Sequence, residues 1–486
     1  MGFRPSILVG SLSGVWSCAL VACVSAPARL DAKALPELPT EFQELQDDTE
    51  PSPAALDPDW WTQLGDPQLD ALIAEALEKN YDLEAASHRV LAAAAQARQS
   101  GALSNPSLDF GLNAARDQNV FVGLPIPGVN NVLARTSDTF AGNFSVSWEV
   151  DLWGRLAAAE RADLAELAAS QADQIAMRLS VAGQTATHWI QVVEVREQRD
   201  LARRGLASFR DSERFVAMRY ANGVSTALDL RLAESQSANA AATLAGLERD
   251  LRSAQRALEL VLGRYPAAEM EAAGPLPTAP ADVPVGLPMD LLARRPDLVA
   301  AEQRLLSLES RSEALRADLY PRLALTGNYG RISDELSDLL DGDFSVWGLA
   351  AALAQPILDG GRRRAGIEAS DASLSVARAR FAGTLLQACA EVERALDAKR
   401  NLSEQIGYLA AAQQAARRAE ALSDSQYREG LITIVTLLES QRSHFDAQGR
   451  LITAKAELLR AHIELVSALG GGYLGDGADA DAGDSA

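Results

Sequence analysis

Residues 219–230 read RYANGVSTALDL, and residues 426–437 read QYREGLITIVTL. Tyr220 therefore corresponds to Tyr427, at an offset of 207 residues (427 − 220). A second motif repeats at the same offset, because DLWGR at 151–155 stands opposite LDGGR at 358–362. Two unrelated motifs at one offset predict a duplicated chain. The period exceeds the roughly 20 to 50 residues of solenoid repeats, so each copy should be one large unit.

The composition favours long packed helices over a compact enzyme. Hydrophobic residues make up 48% of the 486 residues but aromatic residues only 5%, and Ala, Leu, Glu, Arg and Gln dominate long stretches. The net charge is −21. Such acidity disfavours nucleic acid as a partner, because phosphate binding needs clustered Lys and Arg.

Two long tracts lack proline. None occurs between Pro127 and Pro266, and none follows Pro356. We predict long helices over 155–222 and 362–429, where a run of fifty residues alone would span ~75 Å. Such a length exceeds a single globular core.

Each long helix is predicted to fold back on a second helix near Tyr220 or Tyr427, so that each repeat contributes a hairpin. The repeats are predicted to span 59–265 and 288–472. A proline-rich linker at 266–287 separates them.

Four other segments alternate with a period of two, which is typical of strands. They lie near 107–115, 139–150, 322–331 and 344–354. The second segment reads TFAGNFSVSWEV, with Phe, Val and Trp on one face and Asn, Ser and Glu on the other. The ordinary explanation is a half-buried soluble sheet. Aromatic residues on the apolar face and a length of about ten residues instead favour an outer membrane barrel.

Four strands cannot close a barrel, since the smallest barrels have about eight. Three copies would supply twelve strands, and the long helices of the trimer would close into a second, helical barrel. The predicted fold class is therefore mixed, mainly α with a β-barrel.

The amino terminus reads as a lipoprotein signal peptide over 1–22, with an apolar run that ends in LVAC at residues 20–23. This ending resembles the bacterial lipobox and predicts Cys23 as a lipid anchor. The alternative is an ordinary cleaved signal peptide in which Cys23 is incidental. Cys18 would leave with the peptide, so only Cys389 remains inside and no intramolecular disulfide is possible.

Two further segments are predicted to lack a packed core. Prolines recur through 23–58, which reads as an extended tether. The acidic segment 473–486 is poor in apolar residues and is predicted to be disordered.

The loop between the third and fourth strands is strongly acidic. In a trimer its carboxylates would gather at the outward mouth and favour cations; the alternative is a solvated loop that merely repels its neighbours. The candidate residues are Asp334, Glu335, Asp338, Asp341 and Asp343.

Catalytic and metal-binding patterns are missing from the sequence. The glycine-rich GGGYLG at 470–475 follows a helix, whereas a nucleotide site needs a strand before the glycines and a helix after them. The four histidines show no metal-ligand spacing: His88, His188, His444 and His462. We therefore predict no enzyme, no cofactor and no metal.

Several motifs resemble the outer membrane efflux channels of the TolC and OprM type, specifically their NodT-like lipoprotein branch. The resemblance covers nearly the whole mature chain, and the motifs are WWTQLGDPQLDAL from residue 60, WEVDLWGR from 148, LLARRPDLVAAEQ from 291, QPILDGGR from 355 and ALGGG from 468. It implies a homotrimer of β-barrel, α-helical barrel and mixed equatorial belt, located in the outer membrane and in contact with its lipids.

The same resemblance implies partners: a periplasmic adaptor protein and an inner membrane RND-type transporter, from which the channel takes substrate. One alternative is the outer membrane channel of a type I protein secretion system. A periplasmic adaptor would not carry two pairs of aromatic alternating strands. A soluble coiled-coil scaffold would lack the alternating segments around 106–150.

Channels of this family close near the helical tips of their second half, commonly with Asp side chains. Residues 400–412 read RNLSEQIGYLAAA and contain no Asp. The nearest substitutes are Glu404 and Tyr408, an i, i+4 pair on one helix face, which we predict as the periplasmic gate. The alternative is a solvated Glu and a Tyr packed between hairpins.

Overall fold

The structure is a computed structural model that describes residues 36, 39, 41–44, 57–121, 133–280, 283, 285–286 and 288–472. The predicted signal peptide at 1–22, Cys23 and the acidic segment 473–486 lie outside these residues, as does most of the predicted tether.

The two repeats contain the same succession of elements. The first has α1 (Pro67–Lys79), α2 (Tyr81–Ala102), β1 (Ser107–Phe121), β2 (Leu133–Val150), α3 (Arg155–Ala221) and α4 (Ala227–Val261). The second has α5 (Leu291–Arg294), α6 (Pro296–Ala317), β3 (Arg322–Ser333), β4 (Ser345–Ala354), α7 (Arg362–Arg428) and α8 (Ile434–Ala468).

The long helices match in length and position. Both α3 and α7 have 67 residues, and both α4 and α8 have 35. The offset of 207 holds at both ends of each pair, which confirms the duplication. At 1.5 Å per residue, α3 and α7 are each ~100 Å long. Their hairpin turns use Gly223 and Gly430 at φ +72° and +78°, a left-handed conformation that explains why the turn motif repeats its glycine.

The shorter helices of each repeat meet end to end. The Asn80 carboxamide oxygen accepts from the backbone N–H groups of Asp82 and Leu83 at the start of α2, while its Nδ2 donates to Val261 O at the end of α4, at 2.8 Å. In the second repeat Arg295 Nη1 donates to Ala468 O at 3.1 Å and so joins α8 to α6. Each joint therefore makes one stacked rod from two helices.

These rods lie beside the long helices. Helix α3 packs against α2 and α4 on one side and against α6 and α8 on the other, and α7 packs against α6 and α8. The chain is thus an arc of four rods.

The main hydrophobic core lies around the joints, where α1, α3, α4, α5, α7 and α8 converge. Trp189 of α3 is fully buried there, and its Nε1 donates to Asp66 Oδ2 at 2.7 Å. The other carboxylate oxygen of Asp66 accepts from the N–H groups of Gln68 and Leu69 and caps α1. The core therefore forms a belt that fixes the middle of both hairpins.

The two hairpin turns are capped differently. Helix α4 begins with a capping box, in which Thr226 Oγ1 accepts from the Asp229 N–H at 3.2 Å and the Asp229 carboxylate accepts from the Thr226 N–H at 2.9 Å. That backbone hydrogen bond lowers the pKa of Asp229. At the start of α8 the equivalent positions are Thr433 and Thr436, and no side chain caps the helix.

We expect Thr436→Asp to stabilise the start of α8 by about 1 kcal/mol at neutral pH, because it would complete the capping box. Hydrogen exchange of peptides covering 431–438 should slow, while Asp229→Ala should accelerate exchange at 224–231 as the matched control.

The contribution of the Asp229 carboxylate to the stability of the α4 cap depends on pH. Since the folded-state pKa of Asp229 is lowered, its stabilisation is present above the unfolded-state pKa and is lost as the pH falls through the folded-state value.

Unchanged exchange at 431–438 in the Thr436→Asp variant would contradict the assignment of capping as the difference between the turns.

Candidate functional site

The four strands form one antiparallel sheet in the order β1-β2-β3-β4. The register places Phe110, Phe144, Tyr329 and Trp347 in one row across all four strands. The rings of Phe110 and Phe144 lie 4.9 Å apart between centroids. This face also exposes large aliphatic side chains, as the lipid-facing side of a barrel does: Leu108, Leu112, Val146, Leu349 and Leu353.

The opposite face is largely polar or small. It carries amides and hydroxyls on β1, β2 and β3 and mainly glycine and alanine on β4: Asn113, Asn143, Ser145, Ser147, Thr326, Asn328, Gly348, Ala350 and Ala352. Near its α-helical end Glu149 forms an ion pair with Arg155 at 2.8 Å. Such a surface suits a water-filled passage.

Both ends of the arc are open. Among the described residues β1 and β4 each pair with one strand only, which leaves a row of unpaired backbone groups on the outer edge of each. In the helical part, α2 and α4 lie at one end and α7 at the other. Two different edges on one chain fit a head-to-tail contact, which closes into a ring when copies are related by rotation.

The two hairpins differ in burial within the chain. Helix α3 buries twenty-two residues and α7 only six. Within α7, none is buried between Ala395 and Tyr427. Over this stretch α7 packs mainly on α8, so the rest of its surface is open to another copy or to the passage.

The two residues of the predicted gate, Glu404 and Tyr408, contact each other within α7. Tyr408 Oη donates to Glu404 Oε1 at 3.1 Å, and the Tyr408 side chain is 70% exposed. The pair lies within α7, with Tyr408 twenty residues before the helix ends at Arg428, which is ~30 Å along the axis. The pair therefore lies some way from the turn, which follows Tyr427 as the repeated motif indicates, and its role as the periplasmic gate stays a prediction.

The tips contain contacts that the sequence analysis missed. The Arg219 guanidinium lies over the rings of Phe215 and Tyr427, 5.8 and 5.4 Å from their centroids. Burial raises the pKa of Tyr427. Arg219 and Tyr427 both belong to the repeated motif, which was the available signal. These contacts tie the tip of the first hairpin to the second.

A polar contact farther from the tips also ties the first hairpin to the second. The buried Gln441 donates from Nε2 to the hydroxyls of Ser208 and Ser212, at 3.0 and 3.1 Å. The helices that flank the second turn each carry one exposed ion pair, Arg428 with Asp424 at 2.9 Å in α7 and Arg442 with Glu439 at 2.7 Å in α8.

The acidic loop between β3 and β4 leans over the apolar face of the sheet. Its 3₁₀ turn, Leu336–Leu340, contacts β2 and β3. Leu339 Cδ2 lies 3.8 Å from the position that a Cβ on Gly142 would take, and Gly142 belongs to the apolar face beside Leu112. Arg331 Nη1 holds the turn by donating to Leu339 O at 3.2 Å.

The turn thus lies on the apolar face of the sheet and not on the polar one. A cation preference at the mouth from Asp334, Glu335, Asp338, Asp341 and Asp343 stays a prediction.

Cysteine and the metal-ligating residue types are the remaining candidates. Cys389 is half-buried in α7, and burial raises the pKa of its thiol. Within the described ranges no group of three or more His, Cys, Asp or Glu side chains is positioned to hold a metal ion. No described helix is long and apolar enough to cross a membrane.

Known proteins share this organisation. The model of the family described as outer membrane efflux protein matches residues 72–264 and 287–471, one stretch in each repeat. The pyoverdine export outer membrane protein OpmQ of Pseudomonas aeruginosa is 32% identical over 472 residues, covering 96% of this chain and 98% of OpmQ. The probable outer membrane lipoprotein SilC of Salmonella typhimurium is 27% identical over 94% of this chain and 97% of its own.

Solved structures agree. The outer membrane channel OprN superposes with a TM-score of 0.81 at 25% identity, over 90% of this chain and 98% of that one. The open arc described above is thus one third of a trimeric channel with a twelve-stranded β-barrel and an α-helical barrel. The chain belongs to the outer membrane efflux protein family and is an outer membrane channel of an efflux system.

Proposed function

We propose that three copies form a passive conduit that receives solutes from a periplasmic adaptor protein and an inner membrane RND-type transporter and releases them outside the cell. The observation that carries the proposal is the arc with two complementary free edges, whose sheet is apolar on one face and polar on the other. The ~100 Å helices extend from the membrane end of the sheet and bring the hairpin tips into the periplasm.

The proposal assigns no catalytic step to this chain. Work is done by the transporter, and the conduit supplies a polar wall and a closable periplasmic end. The export of pyoverdine in the name of OpmQ is a property of that protein. Here we propose that the transporter selects the cargo, since the polar face of the sheet offers amides and hydroxyls rather than a shaped pocket.

Partner capture tests this proposal. With the photocrosslinking residue p-benzoylphenylalanine at position 424 near the hairpin turn, irradiated cells should yield adducts with a periplasmic adaptor and co-purify an RND-type transporter. The same residue at position 337, in the loop at the other end of the chain, is the matched control and should capture neither. Recovery of an ATP-driven transporter of the type I secretion class would instead favour the alternative function.

We propose that the periplasmic end closes at the turn between α7 and α8. Three observations support this site: the turn lacks a capping box, α7 is almost unburied before it, and the pairs Asp424–Arg428 and Glu439–Arg442 offer charges for contacts between copies.

Single-channel conductance in planar bilayers distinguishes the two gate positions. We expect the double variant Asp424→Ala, Glu439→Ala to conduct more than wild type, because it removes the carboxylates of the two ion pairs that flank the turn. Glu404→Ala, Tyr408→Ala should conduct as wild type does. The reverse result, with trimers intact in both variants, would return the gate to Glu404 and Tyr408.

We also propose that Cys23 is acylated. The lipobox-like LVAC at 20–23 supports this, as does the description of the relative SilC as a lipoprotein. Cys23→Ser should abolish incorporation of radioactive palmitate yet leave heat-resistant trimers in the outer membrane, because the barrel and not the acyl chain spans the bilayer. Equal labelling of wild type and variant would refute the anchor.

A further inference from the structure

We propose that the 3₁₀ turn Leu336–Leu340, hereafter the outer turn, is a membrane foot that rests in the outer leaflet of the outer membrane, with Leu336 and Leu340 against lipid acyl chains. No channel step requires this contact. It is an attachment of the loop to lipid, and it adds to the proposed conduit.

The position of the outer turn on the sheet is the first argument. Leu339 packs on the apolar face beside the paired residues Leu112 and Gly142. On that face, this pair is the next one outward from the aromatic row. Farther outward on the same face, Arg116 and Asp138 form an ion pair at 3.4 Å. Arg331, which pairs with Gly142 on the same face, lies at the level of the turn. The turn therefore lies where the apolar band meets the first charged side chains, which is where acyl chains give way to headgroups.

The exposure of its leucines is the second argument. Leu336 is 66% exposed and Leu340 is 86% exposed, although both flank a segment that packs on the sheet. Exposure of two leucine side chains to water is unfavourable, whereas beside a membrane-facing surface they extend its apolar area. Exposed carboxylates adjoin the turn at Asp334, Asp341 and Asp343, so the loop combines an apolar and a charged part as interfacial segments do.

A second copy of the chain does not fit this surface. The outer turn contacts β2 and β3, the two central strands. Ring closure takes place at β1 and β4, so the neighbouring protomers approach the sheet at its other edges. In the trimer this face of the sheet therefore remains open to lipid.

The geometry of the turn supplies a control. In a 3₁₀ helix residues three apart lie on the same side, so Leu336 shares a side with Leu339 and Leu340 shares a side with Ser337. Asp338 alone occupies the third side, so it shares a side with neither leucine.

Nitroxide labels on single cysteines test the proposal. Leu336→Cys, Leu340→Cys and Asp338→Cys are each made in a Cys389→Ser background, and the signal of that background alone is subtracted. The labelled trimers are reconstituted in dioleoylphosphatidylcholine vesicles, and power saturation compares relaxation by oxygen, which concentrates in acyl chains, with relaxation by a water-soluble nickel chelate.

We expect oxygen to dominate at positions 336 and 340 and the nickel chelate to dominate at 338. Heat resistance of each labelled trimer establishes that it is assembled, and the two leucine positions give independent readings if one variant fails to assemble. Dominance of the nickel chelate at both leucine positions would overturn the foot. Protection from both reagents would also overturn it, since it would mean that protein covers the turn.

Discussion

The end-to-end joints between short helices are the contacts on which the rest of this architecture depends. A helix that stops in mid-structure leaves carbonyl groups without partners, and a helix that starts there leaves N–H groups. Asn80 satisfies both kinds at once, by accepting at the start of α2 and donating to Val261 O at the end of α4. Without such joints the arc would have gaps beside α3, and a wall of continuous rods could not form.

The second joint has diverged from the first and is tied to a third helix. Arg295 replaces the amide with a guanidinium, whose Nη1 also donates to Glu391 of α7 at 2.8 Å and whose Nη2 donates to Asp297 at 2.8 Å. The joint thereby fixes the upper part of α7, where its buried residues lie. Beyond Ala395, α7 has no buried residue until Tyr427. One duplicated hairpin therefore acts as the frame, whereas α7 of the other is buried within the chain only over 381–395 and at Tyr427.

Patterns in the sequence predict the parts of this fold that depend on local chemistry. The repeated turn glycines specify where α3 and α7 end, and strict alternation specifies which face of each strand is apolar. The joints could not be predicted from sequence patterns, because Asn80 and Val261 are 181 residues apart and no period relates them. The position of the outer turn depends on one hydrogen bond from Arg331 to Leu339 O, which no local sequence pattern marks.

The two free edges of the sheet also govern how the channel is made. A newly exported chain presents unpaired strand edges and an apolar face to the periplasm until copies join it, and edges of this kind recruit any extended chain nearby. The rate at which three copies assemble depends steeply on the local concentration of the chain, whereas wrong pairing of strand edges needs only two chains. The time that a newly exported subunit spends as a lone arc therefore sets how long it is exposed to such mispairing.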